Sequence, residues 1–241
     1  MIAQQYSTDV VILPDAPRIP GLVFRRFRGE SDYPNILSCL HRSKNADGVE
    51  RSDTLDDVIR NYTHLHNCDL YQDVLFAEVD GEAVGYSRVW WDENSEGQWL
   101  GSHLCFLAPE WRRKGIGRAL LRFDEARLRQ IAEERGARGE LDAGIPCFFD
   151  VIFFDGETGK EALLLREGYT AIRYFFSMVR PSLEDIPEAP MPEGLEVRPA
   201  KPEHYRKVWD AAQEAFRDHW SFVPEPEEEY QSWIRSPEFW P

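Results

Sequence analysis

The sequence has few cysteines, a shortage of basic residues and no long apolar run. Its 241 residues contain four cysteines without CxxC spacing, so neither a zinc ribbon nor a dense disulfide framework is expected. The 28 Lys and Arg are outnumbered by 43 Asp and Glu, and the net charge of −15 argues against nucleic acid or an anionic membrane as a partner. No stretch approaches the ~20 apolar residues of a membrane helix. These shortages predict a reduced, cytoplasmic protein without a bound metal.

The composition is that of a globular protein in which strand-like and helix-like segments alternate. Hydrophobic residues make up 42% of the chain and aromatic residues 13%, enough for a core. Asp80-Gly81 is a two-residue hairpin signal, and Thr54 with Asp57 has the spacing of a helix capping box. The alternation predicts an α/β (α+β) fold with a mixed sheet. The predicted strands are 22–27, 74–79, 82–91, 99–107, 147–154 and 170–179, and the predicted helices are 32–44, 54–66, 116–135 (stopped by Gly136) and 158–167.

Prolines divide the chain into unequal parts. Six of them fall between positions 181 and 202, which is typical of a semi-rigid linker. Beyond it, Gly194–Arg198 repeats the pattern of Gly21–Arg25, and a strand (195–198) followed by two helices (204–219 and 227–235) repeats the order seen at 22–66. We therefore expect a leader (1–20), a main domain (21–181), a Pro-rich linker (182–193) and a partial second repeat (194–241), docked through its many aromatic residues.

The segment from strand 99–107 into the following helix carries the clearest chemical signal. A basic turn with glycines at 115 and 117 opens the helix, so several N–H groups and about half a positive charge converge on one point. The turn lacks the Lys-Ser or Lys-Thr of a Walker loop, and Leu120 occupies the place of the third glycine in a dinucleotide fingerprint. We expect a pyrophosphate here. The candidate binding residues are Arg112, Arg113, Lys114, Gly115, Ile116, Gly117 and Arg118.

This arrangement resembles a known family. Arg112-x-x-Gly115-x-Gly117, after a strand ending in Leu-x-Pro and before an amphipathic helix, resembles the acetyl-CoA pyrophosphate loop of the GNAT superfamily of N-acetyltransferases. The stretch 163–169 is similar to the LYxxxGF-type helix end of that superfamily, and the resemblance covers about 21–181. Stretches 173–181, 194–199 and 215–220 resemble the junction of tandem GNAT proteins of the mycothiol synthase type.

The resemblance implies a mostly antiparallel mixed sheet with helices on both faces, splayed apart where acyl-CoA binds. The cofactor would lie between strands 99–107 and 147–154 and pair with the backbone of Cys105, Phe106 and Leu107. It implies an acetyl-CoA-dependent N-acyltransferase that transfers an acetyl group to a small primary amine by direct attack in a ternary complex, as a monomer or homodimer. A protein N-acetyltransferase and an acyl-CoA-binding regulatory or scaffold module with little catalysis are the alternatives.

The sequence leaves the residues that move protons open. Many members of the family carry a glutamate on the strand before the loop, but Gln98–Leu107 contains no acid, and His103 is its only imidazole. Asp150 interrupts an apolar stretch, where burial could raise its pKa. Leu164 occupies the place where the family often has an acidic tyrosine. His103 and Asp150 are the catalytic candidates, with a satisfied core histidine and a solvent-facing aspartate as the alternative interpretations.

Overall fold

A computed structural model describes residues 9–49 and 52–235, which form one six-stranded sheet and seven α-helices. No helix within these ranges is both long and apolar enough to cross a bilayer. The strands are β1 (Val10–Val11), β2 (Leu22–Arg26), β3 (Val74–Val79), β4 (Glu82–Glu93), β5 (Trp99–Leu107) and β6 (Cys147–Asp150). The helices are α1 (Tyr33–Asp47), α2 (Leu55–Thr63), α3 (Leu70–Asp73), α4 (Ile116–Ala137), α5 (Thr158–Arg166), α6 (Tyr205–Phe216) and α7 (Glu227–Trp233).

The sheet follows chain order from β1 to β6, and every neighbouring pair is antiparallel except β5 with β6. The β3–β4 hairpin turns at Asp80 and Gly81, whose φ angles are 50° and 84°. Two positive φ angles in a two-residue turn match the right-handed twist of the strands, which explains why this dipeptide marks the hairpin. The mixed, mostly antiparallel sheet predicted from the sequence is confirmed.

Helices cover both faces of the sheet, as predicted. On one face, α1 and α2 pack through Ile36 and Val58 against a cluster that includes Phe106. On the other face, α4 packs through Leu120 against a cluster with Cys105 at its edge. Because successive side chains of a strand point to opposite faces, β5 presents alternate residues to α1 and to α4. We call these the α1 face and the α4 face.

Residues 9–20 of the predicted leader contact the main domain. Val10 and Val11 pair with β2, and Asp15 forms an ion pair with Arg122 of α4. Pro17 lies so close to the loop before α4 that a Cβ on Gly115 would stand 3.2 Å from its Cβ. Residues 1–8 of the predicted leader lie outside the described residues. Residues 9–20 therefore contact the sheet and α4, and the boundary near residue 20 stays a prediction.

Two helices end later than predicted. Helix α1 continues to Asp47, where Gly48 closes it with a φ of 65°. Helix α4 passes through Gly136 and ends at Ala137, and the next glycine with a positive φ is Gly139 at 71°. The glycine that ends a helix is the one in the left-handed conformation, and that conformation cannot be read from residue type alone.

The strand predicted at 170–179 is wrong, because these residues form no ladder. The strand at 147–154 is also shorter than predicted: β6 ends at Asp150, and it is not buried as expected. Apolar side chains beyond it remain open to solvent, with Phe176 and Met178 exposed by 85% and 95%. Strand propensity becomes a strand only where a partner supplies hydrogen bonds, and within the described residues β6 pairs with β5 alone.

The region after the linker contains the two predicted helices without the predicted strand, because residues 195–198 are irregular and exposed. Helices α6 and α7 pack on each other through Trp209, whose ring lies 5.6 Å from that of Tyr230 and 5.5 Å from that of Trp233. Contact with the main sheet comes from the loop between them, where the Ser95 N–H donates to the Phe222 carbonyl at 2.8 Å. The partial repeat remains a prediction, and its residues 236–241 lie outside the described residues.

We predict slow amide exchange in α6 and fast exchange in the exposed segment 172–179 of the same chain. The buried Trp209 shields α6 from one side, whereas segment 172–179 has no ladder to protect it. Hydrogen exchange followed by mass spectrometry measures both segments in one sample, so the exposed segment serves as the internal reference. Equal, rapid exchange in the two segments would contradict the docking of the C-terminal region.

Candidate functional site

The loop before α4 has the backbone of an anion-binding turn. Gly115 caps the helix with a φ of 95°, and Arg113 also has a positive φ, of 62°. Helix α4 starts at Ile116, and the first N–H groups of any helix have no partner within it. Gly117 lies in this first turn with ordinary clearance, since an added Cβ would stand 3.7 Å from Leu163. The turn therefore offers backbone donors that have no partner within the helix, at two glycines that carry no side chain of their own.

The basic side chains of the loop divide into two groups. Arg112 turns inward and binds both carboxylate oxygens of Asp47 at 2.6 and 2.8 Å, and it also donates to the Ser43 carbonyl at 3.1 Å. The guanidinium of Arg118 pairs with Glu167, with Nε 2.7 Å from the carboxylate. Arg113 and Lys114 remain exposed at the turn. Arg112 thus fixes the loop to the end of α1, and the two exposed residues are the ones placed to attract an anion.

A notch opens where β5 and β6 separate. Their parallel pairing runs from Trp99 with Cys147 to Ser102 with Asp150 and then stops. Strand β5 continues to Leu107, still paired with β4, while the chain after Asp150 leaves the sheet. The splayed arrangement expected between these strands is present, and His103 is the first residue of β5 beyond the last pair.

The two catalytic candidates lie at this point but on opposite faces of the sheet. Phe149 packs against a buried cluster that includes Leu128 of α4, and Arg129 stacks 4.8 Å from its ring centre. The next residue, Asp150, therefore belongs to the α1 face. Asp150 is half-buried, and this burial raises its pKa from the ordinary value. His103 faces α4, where its imidazole lies near Asp124. The structure brings both residues to the notch without placing them in one dyad.

His103 is enclosed by polar groups. Its Nε2 lies 3.1 Å from the hydroxyl of Tyr169, and its Nδ1 lies 3.9 Å from Oδ2 of Asp124. Burial and the positive charge of Lys160 lower the pKa of His103 to about 4. The imidazole is therefore neutral at neutral pH.

Three charged residues near the notch were not among the predicted site residues. Lys44 of α1 is buried, with Nζ 4.9 Å from the ring centre of Phe154. Lys160 of α5 pairs with the buried Glu157, which also accepts the Phe154 N–H at 2.9 Å. These contacts hold the chain that leaves β6 against α1 and α5. Lys44 could have been found from the sequence, because it follows Ile36 and Leu40 at four-residue spacing, on the buried side of a helix.

Comparison with known proteins agrees with this geometry. Residues 71–149 match the family model described as an acetyltransferase (GNAT) domain. The mycothiol acetyltransferase of Geodermatophilus obscurus is 30% identical over 57% of this chain and 39% of its own length, and that of Salinispora arenicola is 28% identical over 78% and 55%. The chain therefore spans about two fifths to about half the length of the curated relatives it matches.

A solved structure shows the same fold. The GCN5-related N-acetyltransferase from Sphaerobacter thermophilus superposes with a TM-score of 0.60 at 22% identity, over 92% of this chain and 63% of that chain. Residues 71–149 thus match an acetyltransferase (GNAT) domain, and they lie within a sheet that has the fold of the Sphaerobacter thermophilus protein.

Proposed function

We propose that the chain is an acetyl-CoA-dependent N-acetyltransferase that acts on the primary amine of a small molecule. The observation that carries this proposal is that β5 extends from one end of the proposed cofactor site to the other. The strand borders the notch at His103 and runs to Leu107, about 13 Å further along, before the loop that opens α4. An extended cofactor with its pyrophosphate at the loop and its thioester at the notch matches this layout. Backbone groups of Cys105, Phe106 and Leu107 line the path.

The amine attacks the thioester directly in this proposal. The nearest thiol on the path, Cys105, is a poor nucleophile because burial raises its pKa to about 12. The attacking amine has to lose a proton first, since a free alkylamine with a pKa of about 10 is charged at neutral pH. The net charge of −15 favours a cationic acceptor over an anionic one.

Asp150 is the group better placed to receive that proton. It lies at the last β5–β6 pair on the half-open α1 face, whereas the ring nitrogens of His103 both face protein groups. The raised pKa of Asp150 makes it a stronger base than an exposed aspartate. Activity should accordingly fall as the pH drops through the pKa of Asp150, because the carboxylate then takes up a proton.

We predict that Asp150→Asn lowers kcat by about 100-fold or more, the usual contribution of a general base, with little change in acetyl-CoA affinity. Release of CoA thiol with a panel of primary amines measures turnover, and calorimetry measures affinity. His103→Gln is the matched variant, expected to keep most of the turnover. If His103→Gln lost turnover and Asp150→Asn kept it, His103 would be the general base. A double variant with unchanged turnover would exclude both residues from this role.

The alternatives differ in what the same assays show. The acyl-CoA-binding module is favoured by Leu164, which places an apolar side chain where the family often has an acidic tyrosine. It requires acetyl-CoA binding without thiol release for any amine. A protein N-acetyltransferase requires turnover with peptides and none with small amines. The name of the curated relatives, mycothiol acetyltransferase, supports the small-molecule acceptor.

A further inference from the structure

A line of polar side chains crosses the α4 face beside the notch. His103 is 4% exposed and lies between Asp124 of α4 and Tyr169, which directly follows the Gly168 turn after α5. The Tyr169 hydroxyl reaches on to Oε1 of Glu125 on α4, at 3.2 Å. A single phenol thus contacts both the strand and the helix at the point where the main-chain pairing of β5 and β6 has ended.

The donors and acceptors around Tyr169 determine which ring nitrogen of His103 carries the hydrogen. The Glu125 carboxylate also binds Arg129 at 3.1 Å, and an ionised carboxylate only accepts hydrogen bonds. Burial raises the pKa of Tyr169, so its hydroxyl keeps its proton and donates it to Glu125. The phenol oxygen then accepts from His103, which requires a hydrogen on Nε2. In the neutral imidazole this leaves Nδ1 as a bare acceptor.

The contact with Asp124 is compatible with this tautomer only if Asp124 is neutral. Its Oδ1 accepts the Ser87 hydroxyl at 2.6 Å, while Oδ2 has no hydrogen-bond partner among the described residues and faces Nδ1 at 3.9 Å. Complete burial raises the pKa of Asp124 well above its ordinary value. The other charged or titratable groups near His103 are Lys160 of α5, Cys105 of β5 and Glu125 of α4. Because the His103 imidazole is neutral at neutral pH, its close approach to Asp124 is not an ion pair.

We propose that Tyr169 is a positioning residue that holds His103 in the tautomer with hydrogen on Nε2. Its hydroxyl also forms a bridge from the chain after α5 to β5 and α4, and this bridge sets the width of the notch. In the part of the chain that the structure describes, no ladder joins the two walls beyond Asp150. Helix α5 forms part of the far wall, with Lys160 5.2 Å from the ring centre of Phe106. The role assigned to the notch rests on the proposed function, whereas the tautomer does not.

Nitrogen-15 NMR of the histidine rings at neutral pH tests the tautomer without requiring turnover. We expect the wild-type His103 ring to be neutral with hydrogen on Nε2 alone, and Tyr169→Phe to show both tautomers. In Glu125→Gln the amide can donate to the phenol oxygen, which frees the Tyr169 hydroxyl to donate to Nε2, so the tautomer with hydrogen on Nδ1 should appear. A doubly protonated ring or an Nδ1 hydrogen in the wild type would overturn the proposal.

Acetyl-CoA binding tests the effect on the notch. Loss of one hydrogen bond that orders the site should weaken the affinity of Tyr169→Phe about fivefold. The control is Tyr174→Phe, at a tyrosine that is 69% exposed, for which both affinity and the His103 ring signals should match the wild type. Unchanged affinity in a folded Tyr169→Phe protein would reject the bridge. A wild-type protein that binds no acetyl-CoA would reject the proposed function, while the ring signals still decide the tautomer.

Discussion

Gly117→Val is expected to weaken acetyl-CoA binding by about 100-fold or more without unfolding the domain. The added Cβ would lie 3.7 Å from Leu163 and 3.9 Å from Leu107, which is ordinary van der Waals contact, so the fold has room for it. A pyrophosphate approaching the first turn of α4 would meet the new side chain. Losing two hydrogen bonds to charged oxygens removes about 3 kcal/mol, which corresponds to this change in affinity.

Position 117 gives a cleaner test than position 115. Gly115 has a φ of 95°, so any side chain there strains the backbone and mixes a folding defect with a binding defect. The matched control is Gly136→Val, a substitution in the same helix about 29 Å away, where an added Cβ would stand 3.9 Å from the Leu141 carbonyl. Titration calorimetry should show normal affinity for the control. Equal acetyl-CoA affinity of the two folded variants would show that the cofactor does not bind at this loop.

Those parts of the fold that depend on local signals could be predicted from the sequence. The capping box forms as expected, with the Asp57 N–H donating to Thr54 at 3.2 Å and the Thr54 N–H donating back at 2.8 Å. Strand β5 has the predicted bounds, and the Asp80-Gly81 turn joins the predicted hairpin. Capping and two-residue turns involve only neighbours in the chain, so residue types are sufficient to identify them.

Features that depend on distant partners were missed. Residues 170–179 have the composition of a strand, but no neighbouring strand pairs with them. The loop before α4 was recognisable from its glycines, whereas the inward turn of Arg112 depends on Asp47, 65 positions earlier. One long-range feature is visible in the sequence. Asp124 follows Leu120 and precedes Leu128 at four-residue spacing, which places a charged residue on the buried side of α4. That pattern could have pointed to the pocket around His103.

The largest loss of stability is expected from Arg25→Met, at about 3–5 kcal/mol of unfolding free energy. Arg25 is buried on β2 and binds both carboxylate oxygens of Asp32 at 2.7 Å and Oε1 of Glu78 at 2.6 Å. Methionine fills part of the space but leaves the buried Asp32 without its guanidinium and Glu78 with only the more distant Arg28, 3.7 Å away. Removing one partner of a buried network costs more than the network contributes as a whole, because the remaining charges have lost the solvation of water.

Arg28→Met is the matched control, since Arg28 approaches the same Glu78 at 3.7 Å but keeps 29% of its side chain in solvent. Its loss should stay below about 1 kcal/mol in urea unfolding. Adding Asp32→Asn and Glu78→Gln to Arg25→Met should recover part of the stability, because the acids no longer carry buried charge. No recovery would mean that packing dominates the loss.

Strand β2 is separated from the β5–β6 notch by β3 and β4, so the acetyl-CoA affinity of the folded fraction of Arg25→Met should stay at the wild-type level. A variant that loses affinity in proportion to stability would show that the distant strand β2 controls the notch.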